Sequence, residues 1–440
     1  MKREIESVLQ KWKNEKDRVP IILRGARQVG KSYIIETFGK KNFESVAIAN
    51  FEFQPELVSC FESLDPKTIC LKLEMLLNQR IVPEKTLLFL DEIQNCPKAI
   101  VALRYFKEKM QSLHVIAAGS LLEFALHKED FSFPVGRVSF LYLKPLSFRE
   151  FLIGLQQVRL VEWIDTVSLK QSQEEVIHQH LLNFYRQYLL IGGMPAVVKD
   201  FIEKNSFLEC QHILSRVLDT YRSDFSKYTT KTQYKYLEEF FSRAPTLIGQ
   251  HFKYSHINPE LRSRELKIAL EQLGWAGLLH RVIASSASGI PLYAHAKENK
   301  FKLLFLDLGL MNVANQINLS AMWEKSPSLI NAGGLAEQFV GQELLAYADP
   351  HTNMQLFYWE RDKKGAMAEV DFVIQVDHQI IPIEVKAGTT GQLRSLNQFM
   401  TEKKSSVGVR ISQHPLSLHD HVLSVPFYLI GQIPRLLREI

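Results

Sequence analysis

The sequence predicts a multidomain α/β protein: a parallel-sheet nucleotide-binding core, a helical segment, a winged helix-turn-helix, and a terminal helix with a curled sheet. Three observations lead there. A glycine loop of the pattern GxxxxGK[ST] stands between an apolar run and a helical run near the N-terminus. A second apolar run further on ends in an acidic pair, and near the C-terminus alternating strands bring two carboxylates and a lysine to one end of a hairpin. With 440 residues, a prior of about 100–200 residues per domain gives about two to four domains.

Composition excludes several classes. Apolar residues make up 46% and charged residues 23%, as in ordinary globular proteins, which speaks against long disorder, collagen-like repeats and coiled coil. A net charge of +5 is too mild to specify nucleic acid by itself. Met1 to Lys16 mixes both charge signs without an apolar stretch, and no run approaches the ~20 apolar residues of a membrane span, so a cytoplasmic protein with no membrane partner is expected. Cys60, Cys70, Cys96 and Cys210 lie far apart and no HExxH occurs, so buried thiols are expected, with neither a zinc site nor a disulfide framework.

RVPIILRG, from Arg18 to Gly25, reads as a buried parallel strand. Gly25, Ala26, Arg27, Gln28, Val29, Gly30, Lys31 and Ser32 form the glycine loop, and YIIETFG reads as a helix closed by Gly39. Strand, loop and helix come in the order a phosphate cradle needs. Backbone N–H groups wrap the phosphates, Lys31 neutralises their charge and the Ser32 hydroxyl ligates Mg²⁺. TLLFLDEI puts Asp91 and Glu92 at the carboxyl edge of the sheet, Asp91 for the Mg²⁺ shell and Glu92 as general base on the attacking water. LHVIAAGS brings Gly119 and Ser120 to the same edge; Ser120 suits a phosphate sensor and equally the N-cap of the helix LLEFALH. Arg137, in FPVGRVSF, is a candidate for contact with the phosphates or with a neighbouring subunit's site, and equally a surface arginine.

These pieces resemble a family, the AAA+ type ATPases of bacteria and archaea whose core is followed by a DUF4143 region. GARQVGKS, NFE at Asn50 to Glu52, LFLDEIQNCP, AAGSLL, FPVGRV and PLSFREFL carry the likeness. The resemblance implies an ASCE-type core in which one further strand separates the glycine-loop strand from the acidic strand, with ATP and Mg²⁺ as cofactors and Glu92 as the catalytic glutamate. It also implies that Gly193, Met194 and Pro195 in IGGMPAVV form the GxP motif that opens a helical lid and contacts the adenine. Spacing alone makes GGMP only a loop.

Residues 156–240 carry apolar residues at helical spacing and read as a lid and connector, following a core over 1–155. Arg216, Arg222, Lys227, Lys231 and Lys235 stand among tyrosines there, a pattern that suits nucleic acid and, more often, a solvated helical face. Over 241–325, HFKYSHINPELRSRELKIALEQLGWAGLLHRVIA reads as helix, turn and longer helix, and PLYAHAKENKFKLLFLDLGL as a hairpin. Arg262, Arg264 and Lys267 open the second helix, with Lys297, Lys300 and Lys302 on the wing; protein contact and DNA binding stand level as its use.

In 326–440 the amphipathic GGLAEQFVGQELLAYA carries Glu337, and LFYWERD, AEVDFVIQV and IIPIEVKAG follow as strands. Asp371 and Glu384-x-Lys386 then lie on adjacent strands joined by a turn at Val376 to Gln379, the layout of a PD-(D/E)xK restriction-endonuclease-like domain, with Val370 where a proline is expected. Glu337, Asp371 and Glu384 offer hard oxygen ligands for Mg²⁺, the Val385 carbonyl can add another, and Lys386 can orient water. Gln398 follows on a helix.

The expected protein therefore hydrolyses ATP and acts on DNA, with Mg²⁺-dependent cleavage as one option. An alternative is a signalling or regulatory switch of a defence or toxin–antitoxin kind, whose C-terminal domains bind a protein partner and do not cleave. A homo-oligomer stays open, with Arg104, Arg137 and Arg149 as candidate arginine fingers.

Overall fold

In the structure, a computed structural model, residues 1–124, 136–170, 174–324, 332–361, 368–388 and 392–440 are described. The end of LLEFALH and the start of FPVGRVSF fall outside them.

Five strands form the N-terminal sheet: β1 (Ile21–Arg24), β2 (Ser45–Asn50), β3 (Thr86–Asp91), β4 (His114–Ala118) and β5 (Ser139–Tyr142), in the order β2-β3-β4-β1-β5. Every pairing is parallel. All residues of β3 and β4 are buried, as strands covered on both faces must be, and this is why they read as unbroken apolar runs. β4 lies between β1 and β3, so the glycine loop and the acidic pair emerge from strands one apart at the same carboxyl edge.

The helix after the loop runs Lys31–Asn42 and passes through Gly39, which does not close it. A Cβ there would stand 2.6 Å from Val46 Cγ2, so glycine serves close helix–sheet approach. Helices Val158–Thr166, Glu175–Ile191, Pro195–Lys204, Phe207–Tyr228 and Lys231–Arg243 follow. Ser206 caps the fourth through the Glu209 N–H, and Thr230 with Gln233 forms a capping box on the fifth.

The C-terminal sheet has eight strands: β6 (Leu279–Ser285), β7 (Ala296–Phe305), β8 (Leu356–Glu360), β9 (Glu369–Val376), β10 (Gln379–Val385), β11 (Gly408–Ser412), β12 (Ser417–His419) and β13 (Val422–Pro426). Their order is β12-β13-β11-β10-β9-β8-β6-β7. PLYAHAKENKFKLLFLDLGL, expected to fold as a hairpin wing, instead supplies the single strand β7, and its antiparallel partner β6 comes from LLHRVIA, expected as the end of a helix; β6 also pairs in parallel with β8, so one sheet runs across the boundary drawn at 325/326. The first helix expected in HFKYSHINPELR is only a short 3₁₀ turn at Tyr254–His256; the Ser263–Trp275 helix packs on Lys231–Arg243 instead.

A single apolar cluster links one face of the N-terminal sheet, the helices and the C-terminal sheet, from Ile5 through Phe148, Tyr188 and Phe339 to Leu436. Buried Glu343, on the helix Ala332–Ala346, accepts the Phe148 N–H at 3.0 and 3.1 Å and ties the halves together.

Candidate nucleotide site and C-terminal acidic cluster

β1 delivers the loop Gly25–Gly30, and Gly30, in left-handed conformation at φ 93°, starts the Lys31–Asn42 helix. Glycine is needed there because a side chain on that backbone is strained, and Pro195 Cγ lies 3.5 Å from where its Cβ would be. The Lys31 ammonium donates to the carbonyls of Gly25 (3.0 Å) and Ala26 (2.9 Å). Burial pulls its pKa down to about 8, against the pull of Glu92 and Asp91.

Ser32 Oγ donates to Asp91 Oδ2 at 3.0 Å, as does Asn50 Nδ2. Burial raises the Asp91 pKa, with the Ser32 bond opposing it. Glu92, in left-handed backbone at φ 49°, turns away from the strand, and its Oε2 accepts from Gln94 Nε2 at 2.7 Å and Ser120 Oγ at 3.3 Å. Ser120, offered by sequence as phosphate sensor or helix cap, thus also holds the acid. A Ser hydroxyl beside a carboxylate is a hard-oxygen pair suited to Mg²⁺, and the lysine to phosphate, so the residues fit the nucleotide and its metal.

Three contacts brace the loop that sequence reasoning missed. Arg3, buried, donates to Val29 O (3.2 Å) and Lys144 O (2.7 Å) and pairs with Glu150 at 2.9 Å. Arg27 NH1 meets both oxygens of Asp224 at 2.7 Å, while Tyr221 OH donates to Arg27 O at 2.8 Å, fastening the loop to the Phe207–Tyr228 helix. Gly277, just past the Ser263–Trp275 helix, lies so close that a Cβ there would be 3.4 Å from Ala26 Cβ. None of the three had a local signal in the sequence.

The GGMP segment is held by Asp307, which accepts the Gly193 N–H at 2.6 Å and the Gly309 and Leu310 N–H groups. Its full burial raises its pKa to about 6 against those bonds. Pro195 begins the Pro195–Lys204 helix beside Gly30, and Gly193 has Leu146 O where a Cβ would go.

Arg137 sits elsewhere. It is half-exposed, pairs with Glu108 at 3.1 Å, and precedes β5, at the amino edge of the sheet, so it cannot serve the phosphates of its own chain. Arg104 pairs with the same Glu108, and Arg149 bridges Glu4 and Asp165. Of the middle-region cations, Arg222 pairs with Asp219 and Glu238 and Lys227 with Glu52 and Asp224. Arg262, Arg264 and Lys267 are exposed at the start of the Ser263–Trp275 helix.

β9 and β10 pair antiparallel and bring Asp371, Glu384 and Lys386 to one end. Asp371 Oδ2 accepts the Val385 N–H at 2.8 Å, and Lys386 Nζ lies 2.6 Å from Glu384 Oε1, whose partner oxygen Oε2 is buried without a hydrogen bond. Burial raises the pKa of Glu337, Asp371 and Glu384, to about 7 for the first and last. Gln398 is on the Arg394–Lys403 helix and bonds Glu402 at 3.3 Å.

The three carboxylates expected around Mg²⁺ do not converge on a vacancy. Lys302, expected on an exposed wing, is buried between them: its ammonium lies 3.1 Å from Glu337 Oε2 and 3.7 Å from Asp371 Oδ1 and pairs with Glu369. Burial would pull its pKa down, yet these carboxylates outweigh that and hold it above its ordinary value. Among the described residues no group of three His, Cys, Asp or Glu is placed to hold a metal, so this cluster does not fit the divalent ion. The four cysteines are buried and free. No helix among the described residues is long and apolar enough to cross a membrane.

The AAA_14 family model, described as an AAA domain, matches residues 17–152. Two models of domains of unknown function follow, DUF8612 over 182–321 and DUF4143 over 332–429. Similar solved structures include the Holliday junction branch migration motor RuvB of Thermotoga maritima at 14% identity, covering 63% of this chain and 87% of that one with a TM-score of 0.29. Its T158V form stands at 15% identity, with the same coverages and a TM-score of 0.30. The ORC2 protein of Aeropyrum pernix, in ADPNP–ADP complexes, is 12% identical, covering 72% and 92% with a TM-score of 0.22. No curated protein matches significantly.

Proposed function

The chain carries an AAA domain followed by a C-terminal DUF4143 region, and we propose that it is an ATP-hydrolysing switch that acts on DNA through its C-terminal half. The observation that carries this is the meeting of Lys31, Ser32, Asp91, Glu92 and Ser120 at one sheet edge. Bound ATP with Mg²⁺ supplies a phosphoanhydride whose hydrolysis releases the energy of the cycle. The loop N–H groups and the helix N-terminus take up the phosphates, and Lys31 leaves the Gly25 and Ala26 carbonyls for them. Ser32 and Asp91 are the residues that would hold the metal, and Asn50 keeps Asp91 aimed. Glu92, steadied by Gln94 and Ser120, takes the proton of the attacking water.

Contacts around the loop give the switch its reach. Pro195, Asp224 and Gly277 belong to three segments that lie against the loop, so an adjustment around phosphate passes to the helices and, through Gly277, to the helix whose start carries Arg262, Arg264 and Lys267. Those exposed cations suit DNA phosphates. The C-terminal order of helix Ala332–Ala346, β8, β9, β10, helix Arg394–Lys403 and β11 supports reading it as a PD-(D/E)xK-like scaffold. Lys302 among the acids favours binding without cleavage. The test is turnover with and without duplex DNA at several salt concentrations. Glu92→Gln is expected to bind ATP and to lose turnover by about 10²–10⁴-fold, and wild-type turnover to rise with DNA most steeply at low salt. Equal turnover of variant and parent removes the role of Glu92, and indifference to DNA removes DNA as the partner.

A further inference from the structure

We infer that the ammonium of Lys302 is the resident cation of the C-terminal acidic cluster and that it keeps a divalent metal out. The inference rests on the scaffold reading above for its choice of Glu337, Asp371 and Glu384 as the acidic set. Lys302 comes from β7, the strand that joins this sheet from outside the segment carrying the acids. Its side chain is only 5% exposed, and it reaches Glu337, Glu369 and Asp371 together, with the Tyr358 ring 5.5 Å from the ammonium. A buried lysine is retained at such a place when opposite charges surround it.

The geometry leaves a metal little to bind. Mg²⁺ needs near-octahedral oxygen at about 2.0–2.1 Å. Glu337 Oε2 is taken by the ammonium, one Asp371 oxygen faces Lys302 and the other accepts the Val385 N–H. Glu369, the acid that sequence reading passed over, pairs with Lys302 through Oε1, and its Oε2 lies 2.5 Å from His251 Nε2. Glu384 has Lys386 on Oε1, and its Oε2 is buried without a hydrogen bond. A divalent ion drawn to that oxygen would stand in the field of two ammonium groups, which repel it. The cluster thus has the residues of a metal-dependent site with its positive charge already built in.

The probe is Mn²⁺ titrated into the nucleotide-free full chain, followed by calorimetry and by the thermal midpoint, with DNA affinity and ATP turnover measured on the same samples. Wild type and Glu384→Gln are expected to take up Mn²⁺ alike, since any ion bound lies elsewhere. Mn²⁺ uptake by wild type that Glu384→Gln abolishes overturns the inference. Lys302→Met strips the cluster of its cation: its midpoint is expected to fall and to gain more from Mn²⁺, in a dose-dependent way, than that of wild type gains. A folded Lys302→Met chain that ignores Mn²⁺ also overturns it. Should Lys302→Met not fold, the wild-type comparison decides alone. Loss of DNA affinity or turnover in the parent bears on the proposed function and leaves the metal result standing.

Discussion

Removing the pair Arg27–Asp224 singly and together gives a defined number. The guanidinium meets both carboxylate oxygens at 2.7 Å, with side chains 28% and 8% exposed. At about 4 Å between charge centres and an effective dielectric of about 20, the gross attraction is about 4 kcal/mol. Desolvation of Asp224 takes back a good part of it. Each single variant is also cushioned, because Lys227 stands 3.2 Å from Asp224 and Glu52 3.9 Å from Arg27. A net coupling of about 1–2 kcal/mol remains. At about 2.1 cal/mol/K per residue, a chain of 440 residues that melts as one unit has an unfolding entropy of about 0.9 kcal/mol/K, so the coupling is worth about 1–2 °C. Calorimetry of Arg27→Ala, Asp224→Ala and the double variant measures it: the double is expected to melt above the sum of the single losses by that amount. Losses that add to within about 0.3 kcal/mol would show that the loop is not fastened to the Phe207–Tyr228 helix by this pair.

Two further outcomes follow from the same geometry. Gly193→Ala puts a Cβ 2.1 Å from the Leu146 carbonyl oxygen, a backbone atom with no side chain to swing away, so a loss of about 2–4 kcal/mol is expected in thermal or urea unfolding; an unchanged midpoint refutes the tight seat of GGMP. His251 is raised above its ordinary 6.5 by its bond to Glu369. A histidine raised on folding stabilises fully below about 6.5, and that stabilisation fades as pH climbs through the higher folded value. The midpoint of wild type is therefore expected to fall between pH 6 and pH 8 more than that of His251→Gln, and parallel pH profiles would exclude the ion pair as the cause.

Sequence reading reached the residues that meet at this sheet edge because their signals are local. GxxxxGKS fixes a strand–loop–helix within a few residues, and the middles of the buried β3 and β4 are apolar, so Asp91 and Glu92 stand out at a strand end. The braces were invisible for the opposite reason: Arg27 and Asp224 are 197 positions apart, and nothing in the spacing of either names the other. Lys302 was misplaced because β7 reads as a polar-then-apolar hairpin arm whichever sheet it joins. Its burial comes from the parallel pairing of β6 with β8, which no periodicity encodes. Arg137 is the arginine of FPVGRV, one of the pieces that carry the resemblance, but the direction of β5 puts it at the opposite edge of the sheet from the glycine loop.

The most direct measurement is a calorimetric titration of ATP with Mg²⁺ into the full chain and into Lys31→Ala. One nucleotide bound per wild-type chain, with at least about tenfold weaker binding by the variant, is expected, since a tenfold change is only about 1.4 kcal/mol of lost phosphate contact. A wild-type chain that takes up no ATP, or a Lys31→Ala chain that binds it equally well, contradicts the site built on Gly25 to Ser32 and the acidic pair opposite.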